Sequence, residues 1–206
     1  MNYYSQIGQD RYFIEQIAQG KKRGRFLDVG AHDGIATSNT YALETQFEWT
    51  GICIEANPAL AEKCRMNRSA SITIQAAVWS EEKEVVFELP HSGNDFLSRI
   101  GGISHNQNYF ASDFTTVETI TMSAKPLRDI LGEGHHYFDY FSLDVEGAEL
   151  EALKGIDWQA TQFAYIALEF GHRNDFLQEI IDYLASKQYV LHRINDFDAD
   201  FVPVKQ

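Results

Sequence analysis

Four short apolar runs, each closing on an acidic residue with a glycine or asparagine just beyond, constrain this chain more than anything else in it. They end in Asp28-Val-Gly30, Glu55-Ala-Asn57, Asp144-Val-Glu146-Gly147 and Glu169-Phe-Gly171. Apolar runs of this length, bounded by turn residues, read as strands buried on both faces rather than as amphipathic surface strands. The predicted strands are Arg25 to Ala31, Thr50 to Ala56, Tyr137 to Val145 and Phe163 to Phe170, with a further one over Ile72 to Trp79.

Helical patterns fall between them. A short helix is predicted around Asp10 to Gln19, ended by the glycine-containing stretch Gly20 to Gly24, and another over Ser38 to Phe47. Asn57-Pro58 opens a third, since Asn caps and Pro suits the first turn. Lys125 to Leu131, Ala148 to Lys154 and Asp175 to Lys187 continue the rhythm, and strands Tyr189 to Ile194 and Phe201 to Val204 finish it. Strands alternating with helices at this spacing predict an α/β, Rossmann-like fold. Its seven-stranded sheet is mostly parallel, with an antiparallel C-terminal strand pair. Glu84 to Leu89 and Thr116 to Met122 read as extended hairpin pieces around Pro90 to Thr115, a segment longer than an ordinary connection and so a candidate lid.

With 206 residues, 44% of them hydrophobic, the chain is expected to form a single domain over residues 1–206. Its 30 Asp+Glu against 17 Lys+Arg give a formal charge of −13, which repels phosphate backbones and argues against nucleic acid as a partner. Neither a membrane span nor a secretory leader is legible, so a cytoplasmic protein without a membrane partner is expected. Cys53 and Cys64 lack metal-ligand spacing and read as reduced core thiols.

In doubly wound sheets ligands sit at the carboxyl ends of the strands, where the acids of this chain gather. Gly30 and Gly34 permit a tight turn and close backbone approach, and Glu55 offers two oxygens to ribose hydroxyls. A glycine loop alone equally serves any tight β-to-α turn. The G-x-G-x-x-G of dinucleotide sites is missing, and Asp33 stands where a phosphate would be repelled, which argues against a nicotinamide oxidoreductase. A cationic cofactor is complementary to such a loop, and S-adenosylmethionine carries a sulfonium and an ammonium without any phosphate.

Five blocks, in order, then resemble the FkbM-type methyltransferases: SQIGQD at Ser5 to Asp10, FLDVGAHDG at Phe26 to Gly34, SNT at Ser38 to Thr40, WTGICIE at Trp49 to Glu55 and DYFSLDVEGAE at Asp139 to Glu149. The resemblance spans Ser5 to about Trp158. It implies a Rossmann-like methyltransferase fold and O-methylation of sugar or natural-product hydroxyls. It also implies that Asp28, Gly30, Asp33 and Gly34 line the methionine part of the cofactor, that Glu55 holds the ribose, and that Ala77 and Val78 lie near the adenine. Gln9 and Asp10 would close the pocket, with helix capping the alternative for Asp10.

An alcohol acceptor needs its proton removed. His172 is one candidate base, with Glu169 fixing its tautomer; Asp144 is another, or positions the hydroxyl, or joins Glu169 and Glu146 around a hard divalent ion. Glu146, His105 and Tyr109 are assigned to the acceptor side, the latter two within a stretch whose amides and aromatics suit a sugar. Glu146 and Glu149 also fit as plain first-turn helix acids. The leading expectation is an S-adenosylmethionine-dependent O-methyltransferase acting on a carbohydrate or glycoside. A non-sugar acceptor, a nucleotide-binding oxidoreductase and a non-catalytic binding module are the competing classes.

Overall fold

The computed structural model describes residues 1–90, 98–101 and 117–204. From the N-terminus, α1 (Gln9–Tyr12) runs into a π-helical turn (Phe13–Ile17) before β1 (Arg25–Val29). Next come α2 (Tyr41–Phe47), β2 (Thr50–Glu55), α3 (Pro58–Asn67), β3 (Ile72–Gln75), β4 (Ala77–Val78), β5 (Lys83–Pro90), β6 (Arg99–Ile100) and β7 (Val117–Lys125). They are followed by α4 (Leu127–Leu131), β8 (His136–Phe138), β9 (Tyr140–Leu143), α5 (Glu149–Lys154), β10 (Thr161–Phe163) and β11 (Ile166–Glu169). The last elements are α6 (Asn174–Ser186), β12 (Tyr189–Asn195) and β13 (Asp198–Pro203).

Among the described residues a seven-stranded sheet has the order β12-β13-β11-β9-β1-β2-β3. The run from β11 to β3 is parallel, and β13 is antiparallel to both β11 and β12. This is the Rossmann-like α/β architecture expected. The chain builds outward from β1 to β3 and then returns to lay β9 on the other side of β1. Strand order therefore reverses between β1 and β9, which opens a crevice there.

Side-chain alternation splits the apolar strands between two cores. Leu27 and Val29 of β1, Ile54 of β2, and Phe141 and Leu143 of β9 join one face with Leu153 of α5 and Ile180 of α6. Phe26, Cys53 and Tyr140 join the other with Phe13, Leu43 and Trp49. Cys53 and Cys64 are buried and unbridged, as expected of core thiols. Asn57 caps α3 by accepting from the amides of Ala59 (3.0 Å) and Leu60 (3.4 Å). Among the described residues, no helix is long and apolar enough to cross a membrane.

Two of the predicted strands prove to be two strands each, and the third, Phe163–Phe170, holds β11 and only the last residue of β10. The run Ile72–Trp79 changes sheets at Ala76, whose amide still bonds to the Glu55 carbonyl (3.0 Å). Beyond it β4 pairs with β7 in a second sheet of order β4-β7-β5-β6. The run Tyr137–Val145 breaks at Asp139, whose carboxylate accepts from the Arg25 amide (2.9 Å) and from Lys21 Nζ (2.6 Å). That lets β8 leave to pair with β10, which reaches the predicted Phe163–Phe170 run only at Phe163. β5 and β7 form the predicted hairpin, and β6 adds to it through Phe87 opposite Ile100. Most of the candidate lid, with His105 and Tyr109, lies outside the described residues.

Candidate functional site

The crevice between the ends of β1 and β9 opens into a cavity of about 420 Å³. Gly30 and Glu55 line one side; Asp144, Glu146, Glu169 and His172 line the other. The second sheet supplies a wall, through Ala77 and Val78 of β4, Phe87 of β5 and Ile100 of β6.

Gly30 is where two backbones meet. Its φ is +88°, and a Cβ added there would lie 1.7 Å from the Asp144 carbonyl oxygen, so no other residue fits. The Gly30 amide donates to the Ile54 carbonyl (2.9 Å), and the Asp144 amide to that of Val29 (2.9 Å). Glu55 is only 7% exposed. Its Oε2 accepts from the His32 amide (2.8 Å) and its Oε1 from the Asn57 amide (2.8 Å). Burial pushes its pKa up to about 7 in spite of those two donors. Each carboxylate oxygen keeps a lone pair for a further donor, so a vicinal diol is a suitable partner.

The other acids of the glycine loop lie elsewhere. Alternation along β1 sends Asp28 to the same face as Phe26, where its Oδ2 accepts from Thr40 Oγ1 (2.5 Å) and stands 3.9 Å from Arg68 Nη1. Arg68, fully buried, also binds Glu44 through Nε (2.8 Å) and the Gly34 carbonyl through Nη1 (3.1 Å). Burial raises the Asp28 pKa, with Arg68 opposing. Asp33 caps its own turn: Oδ1 accepts from the amides of Ile35 (2.9 Å) and Ala36 (2.8 Å). Gly34 packs over Arg68 and Cys64. Neither Asp28, Asp33 nor Gly34 is among the cavity's lining, whereas Gly30, Glu55, Ala77 and Val78 are. Gln9 lines a small adjoining chamber with Asp144 and Asp198, and its Nε2 donates to Asp198 Oδ2 (2.5 Å). Asp10 ties down the N-terminal segment by accepting from the Tyr4 amide (2.6 Å) and the Ser5 hydroxyl (2.5 Å).

At the opposite side of the cavity, carboxyl oxygens of Asp144, Glu146 and Glu169 come within 4.8 Å of one another. Burial raises the pKa of all three, and mutual repulsion adds to it for Glu146 and Glu169. A cation brought among them would favour their ionised forms. Glu149 closes the loop beneath, its Oε1 accepting from the amides of Val145 (3.1 Å) and Gly147 (3.0 Å) while its Oε2 stands 3.5 Å from Arg173.

His172 lines the cavity, but its carboxylate partner is not the one expected. Its Nε2 is 3.3 Å from Asp196 Oδ1, while Glu169 hydrogen-bonds with Asp144 instead. Reasoning from sequence also missed Phe87, Ile100 and Arg173. Phe87 lies in a run readable only as extended, and Asp196 is brought to His172 by a tertiary contact.

Comparison with known proteins identifies the family and supports the fold. A family model described as Methyltransferase FkbM domain matches residues 28–191. No curated protein matches the chain. Among solved structures, methyltransferase FkbM from Methylobacillus flagellatus KT aligns with 96% of this chain at a TM-score of 0.57 and 16% identity. The chain spans 48% of that protein's length. The METTL16 methyltransferase domain aligns with 100% of the chain and 71% of its own length, at a TM-score of 0.54 and 11% identity. A TehB-like SAM-dependent methyltransferase from Corynebacterium glutamicum ATCC 13032 Kitasato aligns with 98% of the chain and 89% of its own length, at 0.50 and 12%. At these identities the solved structures speak to the fold alone.

Proposed function

The chain belongs to the FkbM methyltransferase family, whose cofactor is S-adenosylmethionine, and from that premise we propose that it methylates a hydroxyl group, that of a sugar in a glycan or glycosylated small molecule. One observation carries the proposal: a single cavity joins a buried, backbone-held Glu55 to a carboxyl cluster with a histidine beside it.

The cavity fits the cofactor in size, charge and polarity. Its volume lies within the range of small-molecule sites. Glu55 offers both oxygens toward a ribose, and the apolar wall of Ala77, Val78, Phe87 and Ile100 suits a purine. Glycine at position 30 lets the ends of β1 and β9 meet beside the cavity. The carboxyl cluster complements positive charge. When bound, S-adenosylmethionine supplies an electrophilic methyl group. The chain's residues then have three tasks: to hold the acceptor oxygen in line, to exclude water, and to take a proton. Asp144 orients the hydroxyl, and His172, at the end of β11, receives its proton. Glu146 borders the same space and contacts the acceptor. Asp144, Glu146 and Glu169 are also oxygen donors of the kind a hard divalent ion takes. A glycoside acceptor, and no nucleic acid, agrees with the −13 charge.

The test has two stages. Thermal-shift titration with S-adenosylmethionine, S-adenosylhomocysteine and NAD should show stabilisation by the first two; stabilisation by NAD alone overturns the cofactor assignment. A panel of mono- and oligosaccharides and glycosides is then incubated with labelled methyl donor, with and without chelator. Label in a sugar hydroxyl supports the acceptor class. Label only in non-sugar hydroxyls rejects it, and loss of label with chelator shows that transfer needs a divalent ion.

A further inference from the structure

We infer that the small polar chamber beside the cavity receives the ammonium group of the cofactor's amino-acid end, with Asn39 as a residue that recognises it. The inference rests on S-adenosylmethionine as the cofactor, and it says where the part of that molecule beyond the ribose is held.

With the ribose on Glu55 and the adenine against Ala77 and Val78, the rest of an extended ligand runs past Gly30 toward the ends of β9 and β11. The family resemblance implies Asp28, Asp33 and Gly34 for that part, and none of the three lines the cavity. What lies in its path is a chamber of about 20 Å³. Asp144 and Glu169 line both spaces, and Gln9, Asn39 and Asp198 complete the polar wall of the smaller one. That volume takes one group the size of a water molecule, which an ammonium is.

The chemistry of the chamber selects a donor. Asn39 Oδ1 and Asp144 Oδ1 are both buried, and neither has a hydrogen-bond partner among the described residues. Buried acceptors left without a donor are unfavourable, so two of them around one chamber mark a place for a group that donates to both. The charged residues of the wall are Asp144, Glu169 and Asp198, and among the described residues no Lys, Arg or His lines it. A primary ammonium brings three N–H donors and a positive charge; a carboxylate brings neither.

Asn39 is held for this task by its neighbours. Ser38 Oγ accepts from the amides of Thr40 (3.2 Å) and Tyr41 (3.1 Å), a hydroxyl-capped turn that leads into α2. Arg68 reaches both flanking hydroxyls, Ser38 Oγ from Nη1 (3.4 Å) and Thr40 Oγ1 from Nη2 (2.9 Å). Ser38 and Thr40 are thereby committed to Arg68 and do not line the chamber, whereas Asn39 between them does. Its Nδ2 donates to Ser142 Oγ of β9 (3.0 Å), which occupies the nitrogen and leaves the oxygen for a ligand. Asp144 serves the end of the cofactor with Oδ1 and keeps its pairing with Glu169, so the chamber is where the cofactor and acceptor sides meet.

Calorimetric titration of wild type and Asn39→Ala with three ligands tests this. The ligands are S-adenosylhomocysteine, its deaminated analogue (an adenosyl thioether of butanoic acid) and its decarboxylated analogue (an adenosyl thioether of propylamine). Asn39→Ala should weaken S-adenosylhomocysteine and the decarboxylated analogue alike, by at least about tenfold. The deaminated analogue, which has no ammonium to lose, should bind both proteins equally. Equal weakening of all three makes Asn39 a support of the fold, and weakening of all but the decarboxylated analogue makes it a carboxylate contact; either result overturns the inference, as does no weakening at all. Wild type decides by itself if the variant does not fold: the deaminated analogue should bind at least about tenfold more weakly than S-adenosylhomocysteine, and equal affinity means that the chamber holds only water, which overturns the inference while the cofactor assignment stands. If wild type binds none of the three, the cofactor assignment fails and the inference with it.

Discussion

The two sides of the cavity are held in place by different means. On the cofactor side the polar groups are fixed by the backbone: Glu55 by the amides of His32 and Asn57, and Gly30 by contact with the Asp144 carbonyl. On the side proposed for the acceptor, side chains also meet one another, in the Asp144–Glu169 pair, the Glu149–Arg173 pair and the His172–Asp196 contact, with Glu149 held as well by the amides of Val145 and Gly147. The backbone donors sit in the short loops that follow β1 and β2 and move only with the main chain, so they suit a cofactor of constant shape. Side-chain pairs change with a single substitution or proton. That freedom suits an acceptor site, which must change charge during each turnover.

The strongest way to break the comparison is Gly30→Ala, because that one atom lies on both sides at once. A Cβ 1.7 Å from the Asp144 carbonyl oxygen, at a φ of +88°, forces β1 and β9 apart. We expect destabilisation of about 3 kcal/mol or more and loss of measurable S-adenosylmethionine binding, read by urea unfolding and calorimetric titration. Wild-type affinity in this variant would mean that the two backbones do not need to meet.

The second prediction concerns protons. The folded-state pKa of Glu55 and of Glu149 is raised from 4.5 to about 7, and that of Asp198 from 3.8 to about 8, each chiefly by burial. Between the unfolded and folded values the native protein binds more protons than the unfolded chain, so this contribution is full below about pH 4 and is lost as pH rises through 7 to 8. Ligand-free protein should therefore lose stability between about pH 5 and pH 8, by on the order of 1 kcal/mol per pH unit for each of the three groups. Saturating S-adenosylmethionine should flatten the curve, because positive charge favours the ionised carboxylates. Urea titrations at several pH values check both; a ligand-free stability that rises over this interval rejects the buried-carboxyl account.

How much of this was legible beforehand follows the same division. Glu55 and Gly30 stand at the ends of strands whose apolar runs announce them, and the acid after each strand located the cavity. The predicted strands erred where an apolar run continued through a change of sheet. Nothing in Ile72–Trp79 marks Ala76 as the crossing point, since buried residues are needed on both sides of it. The family resemblance implies a cofactor contact for Asp28, yet period-two alternation aims it at Arg68. Arg68 itself, between Asn67 and Ser69, looks like a surface residue until folding encloses it. Asp196 is invisible for a related reason: its partner is chosen by how β13 inserts between β11 and β12, a fact of topology rather than of local pattern.

Glu55→Gln sharpens the contrast at smaller magnitude. The amide keeps an acceptor but places an N–H donor opposite the amide of His32 or of Asn57, and one of the two carboxylate bonds is lost. A hydrogen bond to a charged group contributes about 1.5–3 kcal/mol, so affinity for S-adenosylmethionine should fall at least about tenfold, while kcat at saturating cofactor stays close to wild type. An equal fall in kcat would show that the cofactor side also sets the chemistry, which the division above denies.

The smallest effect separates charge from shape in the glycine loop. Asp33 carries a negative charge close to the cavity without lining it, and burial, which would raise its pKa, is outweighed by the amides of Ile35 and Ala36 on Oδ1. If its work is to cap the turn, asparagine should do it nearly as well, because Oδ1 remains an acceptor of the same length and geometry. Asp33→Asn should then leave S-adenosylmethionine affinity unchanged and move the unfolding midpoint little. Asp33→Ala, which removes the cap, should cost about 1 kcal/mol of stability. If instead the charge draws the cationic cofactor, Asp33→Asn loses affinity as fully as Asp33→Ala does, and the loss shrinks with added salt. Calorimetric titration of both variants at low and high salt distinguishes the two, and with them whether the cofactor side depends on backbone geometry alone.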